Sequence, residues 1–294
     1  MFDELRTFVT VVELKNFTRA AEYLNLSQPS VSTHIKNLEA YFNVKLINRS
    51  IKQKSIVITD NGLKLYSRAK EILTLLELTS LELKNSSDSL SGTLKIGSSL
   101  TIGEYILPDF ISKFSQKYPE IEIEILVNNT SAICNHLKEL TLDIGLIEGA
   151  ATFTNCTLDY FYEDNMTIAT SYNKFKNFSR IDLDNQTWLV REEGSGTREY
   201  FNTFIESNKI VPKKLIVLGS NYAIKEGVKN DLGITFISNL VTKDAVKNNE
   251  ISTYSLGTSF PRNLSYITNK NISNSKSVNI FIEELFNYIA TSQL

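Results

Sequence analysis

The sequence predicts an α/β protein in two parts: an N-terminal winged helix-turn-helix, all-α apart from its wing, and a larger two-lobed α/β region behind it. Three observations predict it. Apolar residues recur at helical spacing through the first sixty positions, together with a surplus of basic residues. Short strand-like runs alternate with helical segments beyond residue 90. A long amphipathic stripe lies between the two. At 294 residues the chain is long for one core, and 42% apolar with 22% charged residues is the balance of a folded protein.

In the first element Leu5, Phe8, Val9 and Val12 share one helical face. A second helix is expected from Thr18 to Leu24, where Ala20 and Ala21 let another helix approach closely. In "LNLSQPSVSTHIKNLEAYF", Ser27 can cap a third helix, and Pro29 is tolerated in its first turn. Val31, Ile35 and Leu38 then face the core and leave Gln28, Pro29, Ser30, Ser32, Thr33 and Lys36 outward. Short polar groups at the start of such a helix reach base edges in a major groove without steric conflict. "INRSIKQKSIVIT" adds a basic hairpin tip, a wing whose Arg49, Lys52 and Lys54 suit phosphates, with Arg19 a further basic contact. Residues 15–54 carry seven Lys and Arg against two Glu, a local +5 in a chain whose net charge is -2. Such a patch fits a DNA-facing module joined to a part with another task.

The run "FTRAAEYLNLSQPSVSTHIKNLEAYFNVKLINRS" resembles the winged helix-turn-helix of LysR-type transcriptional regulators, in its Ala-Ala pair, its Leu-Ser-Gln-Pro-Ser-Val-Ser turn and the Leu-Glu ending the reading helix. It departs at Thr33, where the family often has a basic residue, and the wing is a little longer than in many members. The resemblance implies promoter DNA as a partner, a homodimer or homotetramer, and a two-lobed periplasmic-binding-protein-like effector domain for a small molecule.

Thr59 and Asp60 can cap a long helix running to about Lys84. Leu65, Ala69, Ile72, Leu76, Thr79 and Leu83 form a heptad-like stripe on it. A second copy is the simplest partner for that stripe, in the antiparallel pairing the resemblance implies. "KNSSDSLSG" then reads as a hinge, centred on residues 87–92. The expected domains are 1–58 for DNA binding, 59–88 for the dimerisation helix, 89–163 with 268–294 for lobe I, and 164–267 for lobe II.

Beyond the hinge, "TLKIGSS", "TIGEYILPDFISKFSQKYP", "IEIEILVNN", "TSAICNHLKEL" and "LDIGLIEG" alternate strand and helix, which predicts a parallel sheet covered on both faces. A similar second set follows, and a last helix from Lys276 to Ile289 returns to the first lobe in the resemblance. Ligands of such sheets bind beyond the carboxyl ends of the strands, where helix starts favour anions. The polar turns at those ends supply the candidate effector contacts: Ser99, Leu100 and Thr101; Asn129, Thr130 and Ser131; Glu148; Gly194, Ser195, Gly196, Thr197 and Arg198; and Asn221. Leu100 stands where many related receptors carry a hydroxyl, so its contribution is its amide.

"REEGSGTREYF", Arg191 to Phe201, lacks the third glycine of a dinucleotide loop, the lysine of a phosphate loop and the G-x-S-x-G order of a nucleophile elbow. With His34 on the DNA-reading helix, His136 is the one histidine left as a base, and neither histidine nor Cys134 or Cys156 forms a metal pattern. No enzyme activity, metal or cofactor is expected, and the turn reads as an anion cradle. Arg198 either assists the anion or pairs with Glu192 or Glu193. The runs "REEGSGTR", "TIGEYILP", "NNTS", "GLIEG" and "GSNYAIKEGV" are similar to the LysR-type regulators of sulfur assimilation and carbon fixation. Their resemblance implies a small anionic metabolite as effector, with sulfur and cysteine metabolism favoured over a phosphorylated carbon metabolite. An acidic start and no run of 18 apolar residues predict a cytoplasmic chain without membrane contact. The rival class is a two-lobed solute-binding protein that does not bind DNA.

Overall fold

The computed structural model describes residues 1–49, 56–84, 90, 92–175, 178–257 and 259–292. The chain divides into two compact units, Met1–Asp88 and Ser89–Leu294.

The first unit contains α1 (Phe2–Leu14), α2 (Phe17–Tyr23), α3 (Gln28–Phe42), the antiparallel pair β1 (Ile47–Arg49) and β2 (Ile56–Ile58), and α4 (Asp60–Lys84). Asn16 caps α2 by accepting from the Thr18 and Arg19 amides, and Ser27 caps α3 by accepting from the Ser30 amide. α3 ends at Asn43, whose φ of 53° is the left-handed turn that lets the chain leave toward the wing. Leu5, Phe8, Ala20, Ala21, Val31, Ile35 and Leu38 form the core, together with Leu46 from the wing and Ala69 and Leu73 from α4.

Two expectations change here. The Leu-Glu pair does not end the reading helix, which runs on to Phe42: Leu38 is buried, and the Glu39 carboxylate accepts from the Leu46 amide at 2.9 Å and the Lys45 ammonium at 2.8 Å, tying helix to wing. The α4 stripe is divided rather than continuous. Leu65 and Ala69 pack on the unit's own core, because α4 lies against α1, while Ile72, with Leu75 from outside the stripe, faces solvent. The Leu83 side chain and hinge residues 87–89 and 91 lie outside the described residues.

The second unit runs β3 (Gly92–Ser98), α5 (Leu100–Tyr105), α6 (Leu107–Lys117), β4 (Ile121–Val127), α7 (Thr130–Lys138), β5 (Ile144–Glu148) and β6 (Cys156–Ser171). A short 3₁₀ turn at Arg180–Leu183 follows, then β7 (Thr187–Val190), α8 (Gly196–Ser207), β8 (Lys214–Val217), α9 (Asn221–Lys229), β9 (Thr235–Ser238), α10 (Asn239–Lys247), β10 (Ile251–Tyr254), β11 (Phe260–Asn269) and α11 (Lys276–Thr291). The segment read as one helix, "TIGEYILPDFISKFSQKYP", is two. Pro108 has no amide to donate, and the ladder breaks at Ile106.

The sheets are mixed rather than purely parallel. In lobe I the order β4-β3-β5 is parallel, and β11 and then β6 join antiparallel. In lobe II the far half of β6 pairs antiparallel with β9 and β10, while β7 and β8 form a parallel pair bridged to β9 through Trp188 and Ile234. β6 and β11 therefore cross from one lobe to the other as a ribbon, and the expected boundaries at 163/164 and 267/268 fall inside these two strands. Phe281 and Leu285 of α11 pack into the lobe I core with Phe110 and Ile96, so the last helix returns to lobe I. Lobe II centres on Trp188, Phe201, Phe204 and Phe236, the last two rings stacked at 4.2 Å.

Candidate functional site

The first candidate surface is the outer face of α3. With Val31, Ile35 and Leu38 turned inward, Gln28, Pro29, Thr33 and Lys36 are exposed, and Ser30 and Ser32 are partly so. The small hydroxyls are held locally: Ser30 Oγ lies 2.7 Å from Ser27 Oγ, Thr33 donates to the Pro29 carbonyl, and Gln28 donates to Ser32. Arg19 is exposed on α2, in the turn that Asn16 caps. Lys52, Lys54 and the Arg49 side chain lie outside the described residues.

The second candidate lies in the larger unit, where the two lobes meet at the ends of their strands. Ser99, Asn129, Ser195 and Ser220 each precede a helix. Asn129 and Ser220 cap their own helices. Ser99 and Ser195, both buried, give no side-chain cap to α5 and α8. In place of a cap, the Glu148 carboxylate at the end of β5 accepts from the Thr101 amide at 3.1 Å and from the Thr197 hydroxyl of the opposite lobe at 2.7 Å. Gly196 permits this approach: a Cβ there would lie 2.2 Å from the Glu148 carbonyl oxygen. Thr130 donates to that same carbonyl.

Beneath this junction sits an arginine the sequence reading did not single out. The Arg262 side chain is 0% exposed and donates from Nη1 to Glu148 and from Nε to Asp164, each at 2.7 Å. It also donates to Thr197 at 3.0 Å and Thr101 at 3.2 Å. Burial alone would raise the Glu148 carboxyl. The Arg262 charge and the polar groups of Thr197, Thr101 and Ser99 around the carboxylate outweigh burial and hold it down at about 2. Asp164 is completed by the Ser238 hydroxyl at 2.9 Å. Glu148, read as an effector contact, is thus ionised, buried and matched by Arg262.

A second buried cation, Arg191, opens the glycine-rich turn. Its Nη1 donates to Asn221 Oδ1 at 3.1 Å, and Asn221 in turn donates to Thr101 at 3.2 Å. Its Nε and Nη2 grip Glu192 at 2.8 and 2.7 Å, and Glu192 also accepts from Asn129 of lobe I at 3.2 Å. The Ser131 amide donates to the Gly194 carbonyl at 3.0 Å, and Gly194 holds a φ of 85°. Arg198 turns elsewhere: it pairs with Glu193 at 2.8 Å and donates to Asn202 and to the Arg191 carbonyl. Leu100 is buried, and its side chain presents no polar group.

Most candidate effector residues therefore converge on one lobe junction, with Arg198 directed away from it. The residues missed are Arg191, Glu192, Asp164, Ser238 and Arg262. Their partners lie up to 161 positions away along the chain, as in the Arg262–Thr101 pair, and no local spacing encodes that. Among the described residues no group of three or more His, Cys, Asp and Glu could hold a metal ion, and no helix is long and apolar enough to cross a membrane.

A helix-turn-helix, joined to a two-lobed domain whose polar turns meet at the lobe junction, is the arrangement of a ligand-responsive DNA-binding regulator. Residues 2–63 match the family described as bacterial regulatory helix-turn-helix protein, lysR family, and residues 87–289 match the LysR substrate binding domain. The chain belongs to the LysR family of transcriptional regulators, which are not enzymes, and it carries both the DNA-binding and the effector-binding domain. It is 41% identical over 289 residues to the HTH-type transcriptional regulator CysL of Bacillus subtilis (strain 168), covering 97% of this chain and 96% of that one. It is 31% identical over 299 residues to a probable RuBisCO transcriptional regulator of Thalassiosira pseudonana, covering 96% of each. Full-length CbnR solved with its target DNA shares the fold at a TM-score of 0.70 and 19% identity, over 98% of this chain and 99% of that one. A plain solute-binding protein is excluded by the helix-turn-helix family match.

Proposed function

We propose that this regulator senses a small anionic metabolite of sulfur and cysteine metabolism at the lobe junction, and that binding alters how a homodimer or homotetramer engages promoter DNA in the cytoplasm. The observation that carries the anion reading is the Ser99 hydroxyl. It is buried, makes no well-formed hydrogen bond although it lies close enough to the Glu148 carboxylate to help hold that group ionised, and stands at the start of α5, a helix without a side-chain cap of its own. A buried polar group left unsatisfied costs free energy that a bound acceptor returns, and the positive end of the helix favours an acceptor with negative charge. The sulfur assignment is supported by the 41% identity to CysL together with the "REEGSGTR" run. The similarity to RuBisCO regulators favours a second reading, a phosphorylated metabolite of carbon metabolism.

An effector shifts the protein only by binding one arrangement better than another. The test is a thermal-shift screen of sulfate, sulfite, thiosulfate, acetylserine and phosphoglycolate, followed by mobility-shift assays on the promoter region of the gene itself with the ligand that stabilises. At a hundred times its dissociation constant the effector is expected to stabilise by about 2.7 kcal/mol. If none of the five raises the melting temperature, the anion reading is overturned. If only phosphoglycolate does, the carbon reading replaces the sulfur one.

A further inference from the structure

The two buried arginines of the junction differ in how they are closed in. Arg262 is enclosed by Glu148, Asp164, Thr101 and Thr197, all buried. Arg191 is just as deep, its side chain 1% exposed, yet its ionic partner Glu192 is 31% exposed. That partner is the next residue in the chain, so its carboxylate reaches the guanidinium by folding back over its own backbone. Glu104 and Lys225 also act on this region with opposite charges.

The charges leave little room for an added anion. Glu148 and Asp164 are set against Arg262, and Glu192 already neutralises Arg191. A further negative group would face these carboxylates in a water-poor junction, where like charges are costly. One of them must give way, and Glu192 is the one with a path to solvent.

We propose that the Glu192 carboxylate is an internal occupant of the effector's oxyanion subsite, holding Arg191 until the effector exchanges with it. The proposal rests on the anion reading and specifies how the anion is held. One carboxylate oxygen accepts from Arg191 Nη2 at 2.7 Å and from Asn129 Nδ2 at 3.2 Å, and the other accepts from Arg191 Nε at 2.8 Å. The replacing group therefore presents two oxygens on one centre, the edge offered by a carboxylate, sulfite, sulfate or phosphate. This matches the two-pronged recognition that a guanidinium fork favours. An uncharged hydroxyl compound has no such edge. Glu192 also accepts across the junction from lobe I, so exchange hands the tie between Asn129 and Arg191 from the protein to its ligand. Because the occupant is tethered beside its partner at high effective concentration, it sets a threshold that weakly bound anions do not pass.

The experiment is calorimetric titration of the full chain with sulfate and with sulfite, for the wild type, Glu192→Gln, Glu193→Gln and the double variant Arg191→Lys/Glu192→Gln. Glu192→Gln keeps the shape and removes the charge, and it is expected to bind about tenfold tighter than wild type, on the scale of one charge-assisted hydrogen bond released for the ligand. Glu193→Gln removes the same charge one residue along, from a side chain 78% exposed and paired with Arg198. It controls for general electrostatics and is expected to change affinity less than about threefold. The double variant keeps the charge but loses the fork, and is expected to lose the gain. If wild type binds and Glu192→Gln binds no tighter than Glu193→Gln, the internal occupant is overturned while the anion reading stands. Retention of the gain in the double variant also overturns it. If no form binds either anion, the proposal falls, and the same titration with phosphoglycolate decides whether the anion reading falls with it.

Discussion

Arg262 keeps two carboxylates, Glu148 and Asp164, inside the protein with no solvent access of its own. Arg262→Ala leaves both buried charges uncompensated, a loss of about 3–5 kcal/mol in stability, read as a lower urea midpoint for the effector domain. The acid limb follows from Glu148. Its folded value, about 2, lies below the ordinary 4.5, so the stability it contributes is present above pH 4.5 and is lost as pH falls from there toward 2. Urea midpoints measured stepwise across that window should fall, and a flat profile would count against the ion pair. Gly196→Ala meets the Glu148 carbonyl at 2.2 Å, a backbone atom that cannot swing aside. It should cost about 1–3 kcal/mol as overpacking, and it should weaken effector binding by moving Thr197 away from Glu148.

The reading helix is an element whose ends matter as much as its exposed face. Ser27→Ala removes the acceptor for the Ser30 amide and should cost about 1 kcal/mol, measured by denaturant unfolding. Glu39→Ala strands the Leu46 amide and frees the wing from the end of α3. Its cost should be about 1–3 kcal/mol, and DNA affinity should fall even though Glu39 itself is acidic. A fall in affinity on removing a negative charge separates positioning from electrostatics, because electrostatics alone predicts the opposite sign. Lys36→Ala, by contrast, should leave stability unchanged and lower the slope of log affinity against log salt by about 1, the mark of one phosphate contact.

On the scale of the whole molecule, the division at residue 88 predicts two unfolding transitions in calorimetry, one for each unit. A bound oxyanion should raise the transition of residues 89–294 and leave the other in place. A single transition, or an equal shift of both, would show that the two units unfold as one. Within the larger unit the crossing strands β6 and β11, with a register shift between Leu264 and Ser265, carry the mechanical connection between lobes. The candidate effector site therefore lies between two lobes that share two continuous strands.

The sequence by itself determined what depends on near neighbours. The cap at Ser27, the inward row Val31, Ile35 and Leu38 and the turn at Gly194 all act within a few residues, where spacing and side-chain chemistry suffice. The positions of the polar turns at strand ends were legible for the same reason, and the long motif at the N-terminus carried the family. Only the tertiary structure decided which charges meet. Arg262 reads in sequence as a basic residue in a polar stretch, and it is buried because β11 runs beside β6 and past the end of β5, bringing Asp164 and Glu148 to it. Arg191 was in plain sight in the glycine-rich turn, yet its surroundings come from distant residues: Asn221 of α9 accepts from it, and Asn129, ahead of α7 in the other lobe, donates to the Glu192 carboxylate it grips. Burial and pairing of charge are properties of the packed chain, since the free-energy cost of an ion depends on everything within several ångströms rather than on what precedes and follows it.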